Sequence, residues 1–384
     1  MKTFKQILMY ILVAAVASCL TLAITLRGGM REYDKLDEIR QIVDTYFIGQ
    51  ADADAMADGA AAGMIGALDD RWSHYMNAEA YKAYKETMNN AYVGIGVTIT
   101  VREDGYIDIL QVNEGGPAEK AGVLPGDMIV AVSGQDISSM DLDTVKGMIR
   151  GVEGTKVSVT VRRDGTDREL QITRKSIETV VAKAQMLNGQ IGLITIVNFD
   201  KRCAQETIDH IESLVSQGAK ALIFDVRYNP GGYKDELVKV LDYLLPEGPL
   251  FRSKDYTGRE SVDSSDARFL DIPMAVLINA DSYSAAEFFA AALHEYDAAI
   301  TVGIPTTGKG RFQTSFELWD KSAIVLSIGE YYTPNGVCLA GVGLTPDVLV
   351  EVDEQTYADI YQEKLTPEED PQIQAAVAAL KDAK

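Results

Sequence analysis

Ala221-Leu222-Ile223-Phe224-Asp225-Val226-Arg227-Tyr228-Asn229-Pro230-Gly231-Gly232 reads as a buried strand that stops at a glycine turn. A short apolar run of this kind, closed by turn residues, suits a strand covered on both faces. Before it lie an apolar strand, Ile191 to Val197, and a helix, Ala204 to Gln217. After it come a strand at Met274 to Asn279, a helix at Ser284 to Tyr296, and strands at Ala299 to Val302 and Ala323 to Ile328. Strand and helix in alternation predict an α/β domain over residues 176–352.

Toward the amino terminus the pattern changes twice. Residues 91–175 carry short alternating strands, such as Val97 to Val101 and Ile107 to Val112, separated by glycine turns, and predict a small β-rich module. Residues 31–90 place Leu36, Ile39, Ile42, Val43 and Phe47 at three- and four-residue steps ahead of an alanine-rich stretch from Ala51 to Leu68, and predict a helical arm. Residues 353–384 form an acidic tail with a helix expected at Ile373 to Leu380.

Ile7 to Leu26 is an uncharged, mainly apolar run, with Lys2 and Lys5 before it and Arg27 and Arg31 after it. Twenty residues at ~1.5 Å each cover ~30 Å, the depth of a bilayer core, whereas the apolar part of a cleaved signal is only about 7–15 residues long. Residues 1–30 are therefore expected to be an uncleaved membrane anchor, holding the rest of the chain outside the cytoplasm as a single-pass protein of the cell membrane. Val16-Ala17-Ser18-Cys19 has the form of a lipidation box, but apolar residues continue past Cys19 to Leu26, which argues against it.

At 384 residues, 47% of them hydrophobic, the chain is too long for one ordinary core. A net charge of −21, with 36 Lys and Arg scattered along the chain, opposes binding to phosphate backbones, so no nucleic-acid partner is expected. Three cysteines, Cys19, Cys203 and Cys338, are too few for a disulfide framework or a zinc cluster.

Three elements of the α/β domain carry chemistry. Ser284 stands where a buried strand runs into a helix, within Ile278-Asn279-Ala280-Asp281-Ser282-Tyr283-Ser284-Ala285-Ala286-Glu287, so its hydroxyl faces the helix amino terminus, where free amides favour negative charge. A serine there is also an ordinary helix cap, and Ser282 suits that task equally well. Thr307-Gly308-Lys309-Gly310-Arg311-Phe312-Gln313 flanks a lysine with glycines, which let the backbone turn tightly. Gly231 and Gly232 offer unencumbered amides at the carboxyl end of a buried strand, where open α/β sheets bind ligands.

These three elements, in this order, resemble the carboxyl-terminal processing proteases, also called tail-specific proteases, from about residue 36 to the end. The resemblance implies a crotonase-like protease core with an inserted PDZ domain. It places the nucleophile on Ser284, the general base on Lys309 and, on Gln313, a side chain that orients the lysine. The oxyanion would be held by the amide of Ala285 and by one from Gly231 or Gly232. Tyr283 and Ala286 depart from the family's commoner residues, which leaves the catalytic positions intact and bears on substrate fit. The family implies recognition of substrate carboxyl termini, dimerisation through the helical arm and no cofactor.

Tyr92-Val93-Gly94-Ile95-Gly96-Val97 and Gly116-Pro117-Ala118-Glu119-Lys120-Ala121-Gly122-Val123-Leu124-Pro125-Gly126-Asp127-Met128-Ile129 resemble a bacterial PDZ domain. In such a domain loop amides hold a terminal carboxylate while the peptide adds as a strand to a sheet edge. The resemblance puts that loop at Gly94, Ile95 and Gly96, with Leu142, Val145 and Ile149 of a helix over 141–150 lining the groove, unless these apolar residues serve as core.

The three histidines do not supply a Ser-His-Asp triad. His294 lies ten residues past Ser284 on the same helix, ~15 Å along the axis. His210 and His74 fall in other predicted helices, no histidine pair has metal-ligand spacing, and no metal is expected. Two other functions suit parts of the chain, a catalytically inactive PDZ scaffold that binds protein tails and an acyl-CoA enzyme on a related fold. The complete set of Ser284, Lys309 and Gln313 opposes the first, and the PDZ module the second.

Overall fold

A computed structural model describes residues 34–382, together with residues 9, 13 and 15–18. The chain divides into two units, one made of residues up to Ala78 with Ser315–Leu326, the other of Glu79–Thr314 and Ser327 onward. Among the described residues no helix is long and apolar enough to cross a membrane. The expected anchor at Ile7 to Leu26 lies mostly outside the described residues.

In the first unit, helices Asp34–Tyr46 and Ala53–Gly66 form the predicted arm. Asp52 caps the second by accepting from the amides of Asp54 and Ala55, satisfying two of the donors a helix start leaves open. Leu36, Ile39, Ile42 and Phe47 are all exposed. His74 is not helical, because His74–Met76 is a strand that pairs antiparallel with Ala323–Val325.

Within the second unit, the β-rich module is an antiparallel sheet of strands Val97–Val101, Ile107–Val112, Met128–Val132, Lys156–Arg163 and Thr166–Thr173 in that order. Helix Leu142–Ile149 packs on it, and Ala91–Gly94 pairs with Lys175–Glu178 where the chain enters and leaves. Asp127 of the Leu124-Pro125-Gly126-Asp127 turn is buried and held by both nitrogens of the Arg163 fork, at 2.6 and 2.7 Å.

The α/β layer has strands Ala182–Leu187, Ile191–Ile196, Ala221–Asp225, Met274–Ile278, Ala299–Gly303 and Val348–Leu349 side by side, parallel except for the first. Helices Cys203–Ser216, Lys234–Leu244 and Ala285–Glu295 cover one face. The helix expected in the acidic tail, Pro371–Asp382, covers the other, with Ile373, Ala376, Val377 and Leu380 packed on Ile223, Ala275 and Leu277. Those four side chains fall at helical spacing, so the stripe docks although the tail is acidic overall. Arg227, buried, fastens the start of this helix to the sheet through Asp225 and Asp370, at 2.6 and 2.9 Å. Strands Gly248–Asp255 and Glu260–Ser265 form a hairpin on which residues 329–332 pair.

Asp200, just past the second strand, is 4% exposed and its Oδ1 has no hydrogen-bond partner. Burial pushes its carboxyl up to about 7. A raised carboxyl favours the protonated folded state, so the stabilisation is complete below about pH 4 and is lost as pH rises toward 7. At ~1.4 kcal/mol per unit this is on the order of 4 kcal/mol at most. Asp200→Asn should therefore gain stability relative to the parent between pH 5 and pH 8 in urea unfolding, by about 2–4 kcal/mol. An equal difference at the two pH values would contradict the assignment.

Candidate active site

The strand Met274–Ile278 ends in a turn that is fastened on all sides before it reaches Ser284. Asn279 accepts through Oδ1 from the amides of Tyr228 and Asp281, at 3.0 and 3.1 Å. Ser282 is fully buried, donates to the Val226 carbonyl at 2.8 Å and accepts from the Asn279 amide at 3.0 Å. Ser282 thus joins two strand ends and is no helix cap. The Tyr283 amide donates to the Asn229 carbonyl and the Thr307 amide to the Ser282 carbonyl, each at 3.3 Å.

Ser284 follows with φ 58° and ψ −123° and makes no side-chain cap to its helix. For a non-glycine residue this backbone costs of order 1–3 kcal/mol and persists only where the surroundings enforce it. A serine on a sharp strand-to-helix turn presents its hydroxyl outward, the geometry of a nucleophile elbow. The Ala285 amide that follows is the first of the helix and, among the described residues, has no acceptor.

The Gly231-Gly232 turn lies directly against this elbow. A Cβ on Gly231, whose φ is +93°, would sit 2.7 Å from the Cβ of Ser284 and 2.8 Å from the Ala285 nitrogen. A Cβ on Gly232 would sit 2.3 Å from the carbonyl carbon of Phe199. The Gly231 amide is spent on Asn229 Oδ1 at 2.8 Å. Phe199 donates to the Gly231 carbonyl and accepts from the Tyr233 amide, both at 2.7 Å. Alternation along an extended backbone then turns the N–H of Gly232 away from Phe199, and among the described residues it has no acceptor.

Lys309 is half-buried, with Nζ 5.8 Å from the centroid of the Tyr283 ring. Its turn hangs on Glu287, a fully buried residue one turn into the Ser284 helix. The Glu287 carboxylate accepts from the amides of Gly308 and Lys309, at 2.7 and 2.9 Å, and from the Thr306 hydroxyl. Burial raises the Glu287 carboxyl above its ordinary value, against the pull of these donors and of Lys309. Gln313 donates from its amide nitrogen to the Arg311 carbonyl and the Ser327 hydroxyl, at 3.0 and 3.1 Å.

The histidines stand apart from this arrangement. His294 pairs with Asp347 at 3.2 Å, His210 meets the Ala182 carbonyl and His74 the Trp72 carbonyl. Among the described residues no cluster of His, Cys, Asp or Glu could hold a metal.

In the β-rich module, Ile95, Val145 and Ile149 are buried core residues, while Leu142 is half-buried at the start of its helix. The carbonyls of Ile95 and Gly96 accept from the amides of Ala118 and Asn113, at 2.9 and 3.0 Å. Gly94 lies in the strand paired with Lys175–Glu178.

Residues 190–350 match peptidase family S41, residues 109–163 match the PDZ domain, and residues 18–80 match the N-terminal domain of the activating protease CtpB. The carboxy-terminal processing protease CtpA of Bacillus subtilis is 33% identical over 92% of this chain and 78% of its own length. A CtpA-like serine protease of Staphylococcus aureus is 32% identical over 83% of this chain, which spans 64% of that relative's length. Among solved structures, the photosystem II D1 C-terminal processing protease is 28% identical, with a TM-score of 0.48 over 81% of this chain and 86% of that one. A Bacteroides fragilis structure described as an S41 protease shares the fold, at 17% identity and a TM-score of 0.50 over 83% of this chain and 88% of that one. The chain belongs to the carboxyl-terminal processing proteases, serine peptidases of family S41 that here carry a PDZ domain.

Proposed function

We propose that this protein is an endopeptidase that cleaves exported or membrane-associated proteins, with Ser284 as nucleophile, Lys309 as general base and Gln313 orienting the lysine. The observation that carries the reading is the Ser284 elbow, flanked by the amides of Ala285 and Gly232, which have no acceptor among the described residues. As Ser284 Oγ attacks the scissile carbonyl carbon, its proton passes to the Lys309 amine, and the carbonyl oxygen takes up negative charge between those two amides. The tetrahedral adduct collapses to an acyl-enzyme as Lys309 returns the proton to the leaving amine. Water then attacks the ester, with Lys309 again accepting and returning a proton. Gly231, its own amide committed to Asn229, shapes the turn, so Gly232 is the second oxyanion donor. With the nitrogen of Gln313 engaged elsewhere, its Oε1 is the atom that would meet the lysine amine. Family membership gives no support to the inactive scaffold.

The PDZ module would read a free, apolar carboxyl terminus through the loop at Gly94 to Gly96, with Leu142 offering apolar surface beside it. Loss of a carboxylate contact to buried amides costs about 1–3 kcal/mol, roughly 5- to 150-fold in affinity. A substrate with an amidated carboxyl terminus should be cut correspondingly more slowly than its parent at sub-saturating concentration. Equal rates would end the idea that the tail is read.

Residues 7–26 would anchor the chain in the cell membrane with its domains outside the cytoplasm. The exposed stripe of Leu36, Ile39, Ile42 and Phe47 suits burial against a second copy, giving a homodimer. Full-length protein should stay in membranes through a carbonate wash, and in sedimentation Ile39→Glu should shift the soluble chain from dimer to monomer. Release by carbonate, or an unchanged mass in Ile39→Glu, would count against each in turn.

A further inference from the structure

We propose that the Tyr331 hydroxyl positions the nucleophile, accepting the hydrogen bond of Ser284 while donating its own to the Lys309 carbonyl. This rests on the reading of Ser284 and Lys309 as the reacting pair. Tyr331 is 3% exposed, its hydroxyl donates to the Lys309 carbonyl oxygen, and the neighbouring Ser284 side chain pulls the phenol down against the effect of burial. A phenol has one hydrogen. With that hydrogen on Lys309, the oxygen can only accept from Ser284.

The ring that carries this hydroxyl is held firmly. It packs against Phe251 and Phe288, each with centroids 5.7 Å away, and Phe288 lies one turn beyond Ser284 on the same helix. The Tyr331 amide donates to the Gly310 carbonyl at 3.1 Å, so the residue is joined to the lysine turn by backbone as well as side chain. One atom, the phenolic oxygen, thus sets where Ser284 Oγ stands relative to the segment that bears the base. Burial pushes the phenol well above its ordinary value, which keeps its hydrogen on Lys309 through the working range. The hydrogen bond holds the rotamer of Oγ before attack and is given up as the serine proton passes to the lysine amine, the phenol taking no part in proton transfer.

The test is Tyr331→Phe, which deletes the hydroxyl and keeps the ring contacts. We expect kcat to fall about 10- to 100-fold with KM within about threefold, because positioning of a reacting atom is lost and substrate binding is not. Labelling of Ser284 by a fluorophosphonate should slow in parallel, with the fold retained by circular dichroism and the thermal midpoint lowered only modestly by the lost Lys309 hydrogen bond. Wild-type kcat and labelling in Tyr331→Phe would overturn the inference. Should that variant unfold, 2,3,5-trifluorotyrosine at 331 retains ring and hydroxyl but lowers the phenol's pKa. It should then add a decline at alkaline pH to the rate profile, and a profile identical to wild type would equally overturn it. Ser284→Ala run alongside separates the two levels. If it stays active, the assignment of the nucleophile fails, whereas an inactive Ser284→Ala beside a fully active Tyr331→Phe defeats the Tyr331 role alone.

Discussion

Lys309→Arg should lose turnover about as completely as Lys309→Ala, a drop of about 10²- to 10⁴-fold or more, while remaining folded. Arginine keeps the length and the positive charge but is never deprotonated in a protein, whereas lysine accepts a proton as the free amine. The pair of substitutions therefore separates a proton acceptor from a mere counter-charge. Both variants keep the backbone amide that donates to Glu287, so the turn itself should survive. Ser284→Ala should reach the same floor, and it also relieves nothing of the backbone strain, because alanine meets the same φ of 58°. Initial rates on an unstructured protein from pH 5 to 10, with circular dichroism for folding, decide the matter. In the parent, the rate should climb with pH as the amine loses its proton. Near-normal turnover by Lys309→Arg would falsify the dyad.

How much of this arrangement can be read from the residues depends on whether the cause is local. The strands at 191, 221, 274 and 299 and the helices at 203 and 285 are legible because each is an apolar run or stripe bounded by turn residues, and all appear within a residue or two. Helix Lys234–Leu244 has an equally good stripe in Leu237, Val240, Leu241 and Leu244, but begins directly after the glycine turn that draws attention first. His74 looks helical because helices flank it, and its strand exists only through a partner some 250 residues away. The site divides the same way. Ser284, Lys309 and the glycines are visible as motifs, whereas Tyr331 belongs to an ordinary strand, and nothing local tells it from Tyr332. The choice between Gly231 and Gly232 turns on the Asn229 side chain, a hydrogen bond that spacing alone does not reveal.

Glu287 is the instructive case, and its removal should have the second large effect. Ser284-Ala285-Ala286-Glu287 has the form of a capping box, in which the acid would reach back to the backbone amide of Ser284. Ser284 instead adopts an elbow without a side-chain cap, and the Glu287 carboxylate turns to Thr306, Gly308 and Lys309. A local motif is thus diverted to join two segments of the site. In Glu287→Ala a buried amide, a half-buried one and a hydroxyl lose their acceptor, at up to about 1–3 kcal/mol for each group left unpaired, so a few kcal/mol of stability and the placement of Lys309 should go together. Glu287→Gln is the sharper variant. Its single carbonyl oxygen can serve one side of the turn, but its amide then faces a donor on the other. We expect it to fold with a lowered thermal midpoint and with kcat reduced about 10- to 100-fold, following misplacement of the base. Burial raises the carboxyl, so acidification should protonate it earlier than an exposed glutamate and loosen the turn. The acid limb of the parent's rate profile that reports this should be missing from Glu287→Gln. A Gln variant with the parent's kcat and midpoint would show that the carboxylate does not hold the lysine turn in place.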